Sequence, residues 1–231
     1  MTMRAEAALI RGGSEIYHFG GRLVGSVSVE VDAAKGRKTR VARLLPIEPP
    51  YLKGELSRFV DFFAWSKDDK TRRPIGPPND VINEMLGRFG QWEFPAISGV
   101  LCCPTLRRDG SVLAVPGFDP ATGLLVIGPL PDMPEVARRP SEAEARRAIG
   151  LLDGLLEEFP FVDAPSRSTA LSGMISPVVR GALTCVPMHA SSAPAAGTGK
   201  SYLFDVDAGI ANGDLMHIMA RGESTEEMEK R

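Results

Sequence analysis

Near the C-terminal end the chain reads Pro194-Ala195-Ala196-Gly197-Thr198-Gly199-Lys200-Ser201, and no other stretch restricts its fold so tightly. Two glycines followed by Lys-Ser suit a backbone that curls around an anion. Glycine accepts the positive φ angles that let successive N–H groups point to one place. A helix opening at Lys200 adds its positively polarised end at the same spot. The flanks agree: 186–193 reads as a strand, 200–211 as a helix stopped by Asn212-Gly213, and 215–219 as a second strand. Strand, glycine-bearing loop, helix, strand is the setting that a phosphate-binding loop of the G-x-x-x-x-G-K-[ST] type needs. The pattern's first glycine is replaced by Pro194, which can still start the loop because that position need not donate an amide.

The chemistry expected of the loop follows residue by residue. Backbone amides of Ala195, Ala196, Gly197, Thr198, Gly199, Lys200 and Ser201 form the nucleotide cradle. Lys200 reaches the β- and γ-phosphates as the catalytic cation, and the Ser201 hydroxyl is the metal ligand for Mg²⁺ beside ATP. ATP hydrolysis also needs an acid at the end of a later strand. Asp205 and Asp207 stand too close, on the predicted helix itself. The stretch 215–219 ends without an acid, and Glu223, Glu226, Glu227 and Glu229 read as a solvated charged tail.

Upstream, 1–50 reads as β-rich. Leu23, Gly25, Val27, Val29 and Val31 share one parity, the alternation of a half-buried strand, and 39–47 is a second strand. The apolar spacing in 52–65 predicts an amphipathic helix, 67–78 an exposed loop, and 79–89 a helix capped by Asn79 or Asp80 and stopped at Gly90. Strands are expected in 97–105, 111–115 and 124–127, the first two joined by a turn at Arg108-Asp109-Gly110. Trp65 and Trp92 read as packing groups rather than base-stacking platforms. The proline-rich 128–140 separates this region from a helix that begins with a capping box, Ser141 and Glu144, and ends at Pro160. A further helix over 166–183 is bent or broken at Pro177. The expected organisation is an α+β N-terminal domain over 1–135, a helical linker over 136–183, and the start of a three-layer P-loop α/β NTPase domain over 184–231. That domain is incomplete, because a full core needs about five parallel strands.

Composition narrows the function classes. Net charge is −2 at a sequence pI near 6.0, so the chain is not a polybasic nucleic-acid module, although Arg37-Lys38, Arg107-Arg108, Arg138-Arg139 and Arg146-Arg147 could build a local DNA-facing surface. Three cysteines, two of them adjacent at Cys102 and Cys103 with the third at Cys185, suit a reducing compartment rather than a disulfide framework. His18, His189 and His217 form no zinc motif. With no signal-like start and no membrane-length apolar run, a cytoplasmic protein is expected.

Three stretches carry a family resemblance: Pro104-Thr105-Leu106-Arg107-Arg108-Asp109-Gly110-Ser111 leading into 116–124; 151–162, ending Glu158-Phe159-Pro160-Phe161-Val162; and 189–201. Ile16-Tyr17 and Gly20-Gly21-Arg22-Leu23-Val24 add a weaker fourth. In these the chain resembles phage- and prophage-encoded primase/helicase-like P-loop ATPases, from the N-terminal region through the phosphate loop. The resemblance implies ATP hydrolysis coupled to DNA unwinding in phage replication, with the nucleotide roles falling on Lys200 and Ser201. DNA is the partner it implies, and a homo-oligomeric ring is expected only of a longer form. The family's later acid, sensor and arginine finger have no counterpart here, so the chain is expected to be an ATP-binding portion that is not catalytically complete. The competing expectation is a non-catalytic DNA- or protein-binding module with a vestigial loop.

Overall fold

A computed structural model describes residues 1–217 apart from Lys67, Asp69, Pro129, Pro131, Asp132, Glu135 and Ala196. The expectations for Ala196, for the last two residues of the 215–219 strand and for the acidic tail lie outside the described residues. The chain divides into two compact units, each assembled from separated stretches. The first takes 1–27, 42–100 and 118–125, and the second takes 28–41, 101–117 and 126–231.

The first unit opens with a helix that the sequence reading missed, α1 (Thr2–Arg11). Ala5 and Leu9 lie one turn apart and are both buried, the i, i+4 spacing of a helix face, so the N-terminal region is not purely β. Strand β1 (Tyr17–Phe19) pairs antiparallel with β2 (Arg22–Asp32), and β3 (Lys38–Pro46) completes a three-stranded sheet in the order β1-β2-β3. The predicted alternation is visible along β2, where Val27, Val29 and Val31 are half-buried and Ser28, Glu30 and Asp32 exposed.

Helix α2 (Pro49–Phe59) is shorter than the spacing in 52–65 predicts. Its last turn gives way to β4 (Phe62–Ser66), which forms a hairpin with β5 (Thr71–Ile75) in what reads as a loop. Aromatic residues favour a pleated surface over a helix once a partner strand is available. Helix α3 (Asn79–Leu86) follows, with Pro78 rather than Asn79 or Asp80 at its N-cap. The three helices share one core with Leu23, Phe62, Trp92 and Phe94, including the fully buried Leu9, Leu52, Leu56 and Met85. Trp92 meets its expected packing role and donates from Nε1 to the Met85 carbonyl at 2.6 Å, whereas Trp65 is 62% exposed. Across the top of α1, Glu6 is buried and accepts from Arg88 Nη1 at 2.6 Å and from the Glu93 amide at 2.6 Å.

Beyond this core, β6 (Gly99–Leu101), β9 (Gly117–Asp119) and β10 (Leu124–Val126) form a sheet in the order β6-β10-β9, and β7 (Thr105–Leu106) pairs with β8 (Val112–Leu113). The single long strand expected over 97–105 is therefore two short ones. The expected turn between β7 and β8 is present: Gly110 has φ 80° and the Asp109 carboxylate accepts from the Ser111 amide at 2.9 Å.

The second unit is built on helices. Helix α4 (Glu142–Gly154) begins with the expected capping box, and α5 (Ala164–Val179) carries Pro177 in its last turn before a short 3-10 turn. Helix α6 (Lys200–Asn212) begins at the lysine of the loop and ends at Gly213, whose φ of 73° suits the expected Asn-Gly stop. Leu156, Met174 and Leu203 form the buried centre of this unit, with Leu152, Phe159, Phe161 and Leu171 packed around them. The stretch 136–183, read from the sequence as a linker, thus contributes to the same compact unit as the loop.

Candidate functional site

The turn from Pro194 to Lys200 places a helix terminus and an ammonium group on one side of a cavity. Gly197 has φ 83° and Gly199 φ 90°, a left-handed conformation at the helix N-cap that costs other residues free energy and that glycine adopts readily. A Cβ added at Gly199 would lie at ordinary contact distance, 3.5 Å, from Phe159 Cε1, so the aromatic ring packs on the loop and it is the positive φ that asks for glycine. At Gly197 and Gly199 the backbone is therefore turned rather than extended. Lys200 Nζ donates to the Ala195 carbonyl at 3.2 Å, and Thr198 Oγ1 donates to the same oxygen at 3.3 Å. Lys200 therefore folds back over the loop it closes. Ser201, the next residue, is exposed.

The strand expected before the loop is absent. The described residues of 186–193 belong to no ladder, and among 215–217 the only pairing is an isolated antiparallel bridge from His217 to Ala33. An extended segment becomes a strand only when a neighbour accepts its hydrogen bonds, and among the described residues none lies alongside 186–193. The loop and helix were legible because their chemistry is local; the sheet around them was not.

The cavity beside the loop has a volume of about 430 Å³, within the range of small-molecule sites. Its lining combines the apolar Phe159, Pro160, Phe161 and Val162 with the hydroxyl-bearing Ser166, Thr169, Ser191 and Ser192 and with Thr198, Gly199 and Lys200 of the loop. Phe159 packs against Phe161 at 6.0 Å between ring centroids and stacks on Tyr202 at 5.8 Å. His189 and Asp207 also line the cavity. They lie side by side against Gly173 of α5, where an added Cβ would be 3.5 Å from Asp207 Oδ2 and 3.6 Å from the His189 ring. His189 Nε2 is 3.2 Å from Ser172 Oγ.

The two helix acids that looked too close to serve the metal have different structural fates. Asp205 is buried, paired with the Arg37 guanidinium and accepting from the Met216 amide at 3.3 Å, so it ties α6 to the β2–β3 hairpin. Asp207 is 9% exposed, and its buried Oδ1 has no hydrogen-bond partner. Burial pushes its carboxyl pKa up, and the nearby His189 opposes that shift. Leaving such an atom unpaired costs about 1–3 kcal/mol. No sequence signal marked Asp207 beyond its offset of seven from Lys200, which places both on one helix face.

Among the described residues no group of three His, Cys, Asp or Glu side chains could hold a metal ion. A Mg²⁺ ion at such a loop takes most of its ligands from phosphate oxygens and water, so one hydroxyl, that of Ser201, is the expected protein contribution. Cys102 and Cys103 are half-buried, and burial raises the Cys103 pKa to about 11, which suits inert thiols. No protein-family model, no curated protein and no solved structure matches this chain. Among the described residues no helix is long and apolar enough to cross a membrane.

Proposed function

We propose that the chain binds a nucleoside triphosphate, ATP with Mg²⁺, at the 195–201 loop, as the nucleotide-binding part of a phage-type replication ATPase. The observation that carries this reading is the turned loop, with Gly197 and Gly199 at positive φ and α6 opening at Lys200. An anion there would meet the amides that a helix start leaves without intrahelical partners, and the Lys200 ammonium would turn to it from the Ala195 carbonyl. The helicase-like setting rests on the sequence resemblance. Lys200→Ala removes the one charged donor of the cradle. It should weaken ATP binding about 10- to 100-fold, because hydrogen bonds to charged groups contribute about 1.5–3 kcal/mol. Titration calorimetry of the native and variant proteins at one salt concentration reads this, and equal affinities would defeat the reading.

The β4–β5 hairpin favours a second reading, contact with single-stranded nucleic acid. Trp65 and Phe63 are 62% and 52% exposed, and Arg72 stands directly opposite Trp65 in the antiparallel register. Residues directly opposite share a face, so an aromatic ring and a guanidinium are presented together. Rings of this kind stack on bases for about 1–3 kcal/mol each, and a guanidinium adds phosphate attraction. Trp65→Ala is expected to reduce single-stranded DNA affinity about tenfold in fluorescence anisotropy. Unchanged binding would remove the hairpin from the account and leave the nucleotide reading untouched.

A further inference from the structure

The phosphate reading leaves open where the nucleoside lies. We propose that its base stacks on the exposed ring of Tyr202, outside the cavity, so that the loop takes purine nucleoside triphosphates by the face of the base and does not separate adenine from guanine. This rests on the nucleotide reading and extends it to a new binding residue and a wider substrate class. Tyr202 directly follows Ser201, in the first turn of α6. The Leu203 amide donates to the Gly199 carbonyl at 2.9 Å, the first bond of the helix ladder, so the amides of Lys200, Ser201 and Tyr202 come before it without intrahelical acceptors. The Tyr202 ring thus starts from the backbone that faces the phosphates. It is 62% exposed, yet it is held in place: Phe159 stacks against it with ring centroids 5.8 Å apart and planes inclined by 13°. Phe159 is itself anchored, because it packs on the core of Leu156, Met174 and Leu203 and on Gly199 of the loop. Helical side chains lean back toward the N-terminus, which brings the Tyr202 ring alongside the loop rather than further along α6. Lys200, Leu203 and Asp207 line the cavity, whereas Tyr202, two positions from Lys200, projects from the other side of the helix. A phosphate chain on the helix axis can be followed by its nucleoside on either side, and only the Tyr202 side offers a large aromatic ring that is both exposed and supported from behind.

Stacking reads the face of a base and leaves its edges unread, and a purine offers more face than a pyrimidine. The test is calorimetric titration of the full chain with ATP, GTP, CTP and inorganic tripolyphosphate, each with Mg²⁺, using the native protein and the Tyr202→Leu and Lys200→Ala variants. Leucine keeps an apolar cover on Phe159 but has no flat face. On the native chain ATP and GTP are expected to bind within about threefold of each other, and CTP more weakly than either. Tyr202→Leu should weaken ATP and GTP about 5- to 100-fold and leave tripolyphosphate binding as it was, whereas Lys200→Ala should weaken all four ligands. The comparison among nucleotides on the native chain does not depend on whether any variant folds: ATP and GTP separated by about tenfold or more, or CTP bound as tightly as ATP, overturns the stack. It is also overturned if Tyr202→Leu binds ATP as the native protein does, or loses ATP and tripolyphosphate alike. In each of these cases the nucleotide reading stands as long as Lys200→Ala weakens ATP. If none of the four ligands binds the native chain, both are overturned.

Discussion

Asp207 enters the folded unit with its carboxyl pKa pushed above the ordinary 3.8 by burial, and the opposing pull of His189 does not cancel that. A carboxyl that holds its proton more tightly when folded favours the native state in acid. That contribution is fully present below the unfolded value and is lost as pH rises through the raised folded value. Asp207→Asn removes the titration while keeping the shape. The stability of the native protein relative to this variant is therefore expected to fall from about pH 4 upward and to level off once Asp207 is ionised in the folded state. Urea unfolding of both proteins across that range measures the difference with all other carboxylates in common. A relative stability that climbs with pH would mean that the ionised carboxylate is well partnered, contrary to its orphaned Oδ1. Neighbouring Asp205 is buried too, but Arg37 and the Met216 amide supply it with partners that Asp207 Oδ1 lacks. Two acids two positions apart on one helix differ in this way because they point to different faces, one toward the β2–β3 hairpin and the other toward the cavity.

At the scale of single elements, α4 depends on its ends more than on its sides, since none of its residues is fully buried. The Ser141 hydroxyl accepts from the Glu144 amide at 3.3 Å, and the Glu144 carboxylate accepts from the Ser141 hydroxyl and then the Ser141 amide, each at 2.7 Å, which holds the Glu144 carboxyl below its usual range. Ser141→Ala is expected to cost about 1 kcal/mol, read as faster hydrogen exchange over the first turns of α4 with α5 unaffected. Loss of protection throughout both helices would show that the cap also serves the shared core. This element shows what was legible in the sequence. The capping box, the Gly213 stop and the Asp109-Gly110 turn all lie within a few residues of the groups they satisfy, so local reading found them, whereas α5 runs through Pro177 to Val179 without a break there. The 62–66 segment looked like the continuation of a helix because its aromatic residues fit either period. Its strand conformation depends on Thr71–Ile75 arriving opposite. The N-terminal helix α1 was hidden by the strong alternation that follows it. The 186–193 strand failed for the converse reason, since no described segment pairs with it. At the candidate site the loop was readable residue by residue, while the cavity, its aromatic wall and Asp207 were not. Those depend on α5, 159–162 and α6 coming together over more than forty residues of chain.

Neither unit of the molecule is a continuous stretch, and the second borrows 28–41 and 101–117 from the N-terminal half of the sequence. The borrowed hairpin segment is held inside that unit by contacts near the end of α6: Arg37 with Asp205, Thr39 Oγ1 donating to the Leu215 carbonyl at 2.8 Å, and the Arg40 amide donating to Asp214 at 3.1 Å. The Leu215 and Arg40 amides hold the Asp214 carboxyl below its usual range, as expected for an acid satisfied by backbone donors. Asp205 is buried and receives both a guanidinium and an amide. Its removal therefore takes the acceptor from the Met216 amide and one ion-pair partner from Arg37. Asp205→Ala is expected to lower stability by about 2 kcal/mol and to release amide protection over 28–41 and 214–216. The first unit has its own core of α1, α2 and α3 and makes none of these bonds, so its helices should keep their protection. Hydrogen exchange with mass readout on the full chain separates the alternatives. If α1–α3 lose protection together with the hairpin, the units unfold as one cooperative structure, and the contact at Asp205 stabilises the molecule as a whole. If protection changes only in the segments joined through Asp205, the hairpin's far end is a dependent of the loop helix. The helix that opens at Lys200 would then be braced at Asp205 by residues from the opening quarter of the chain.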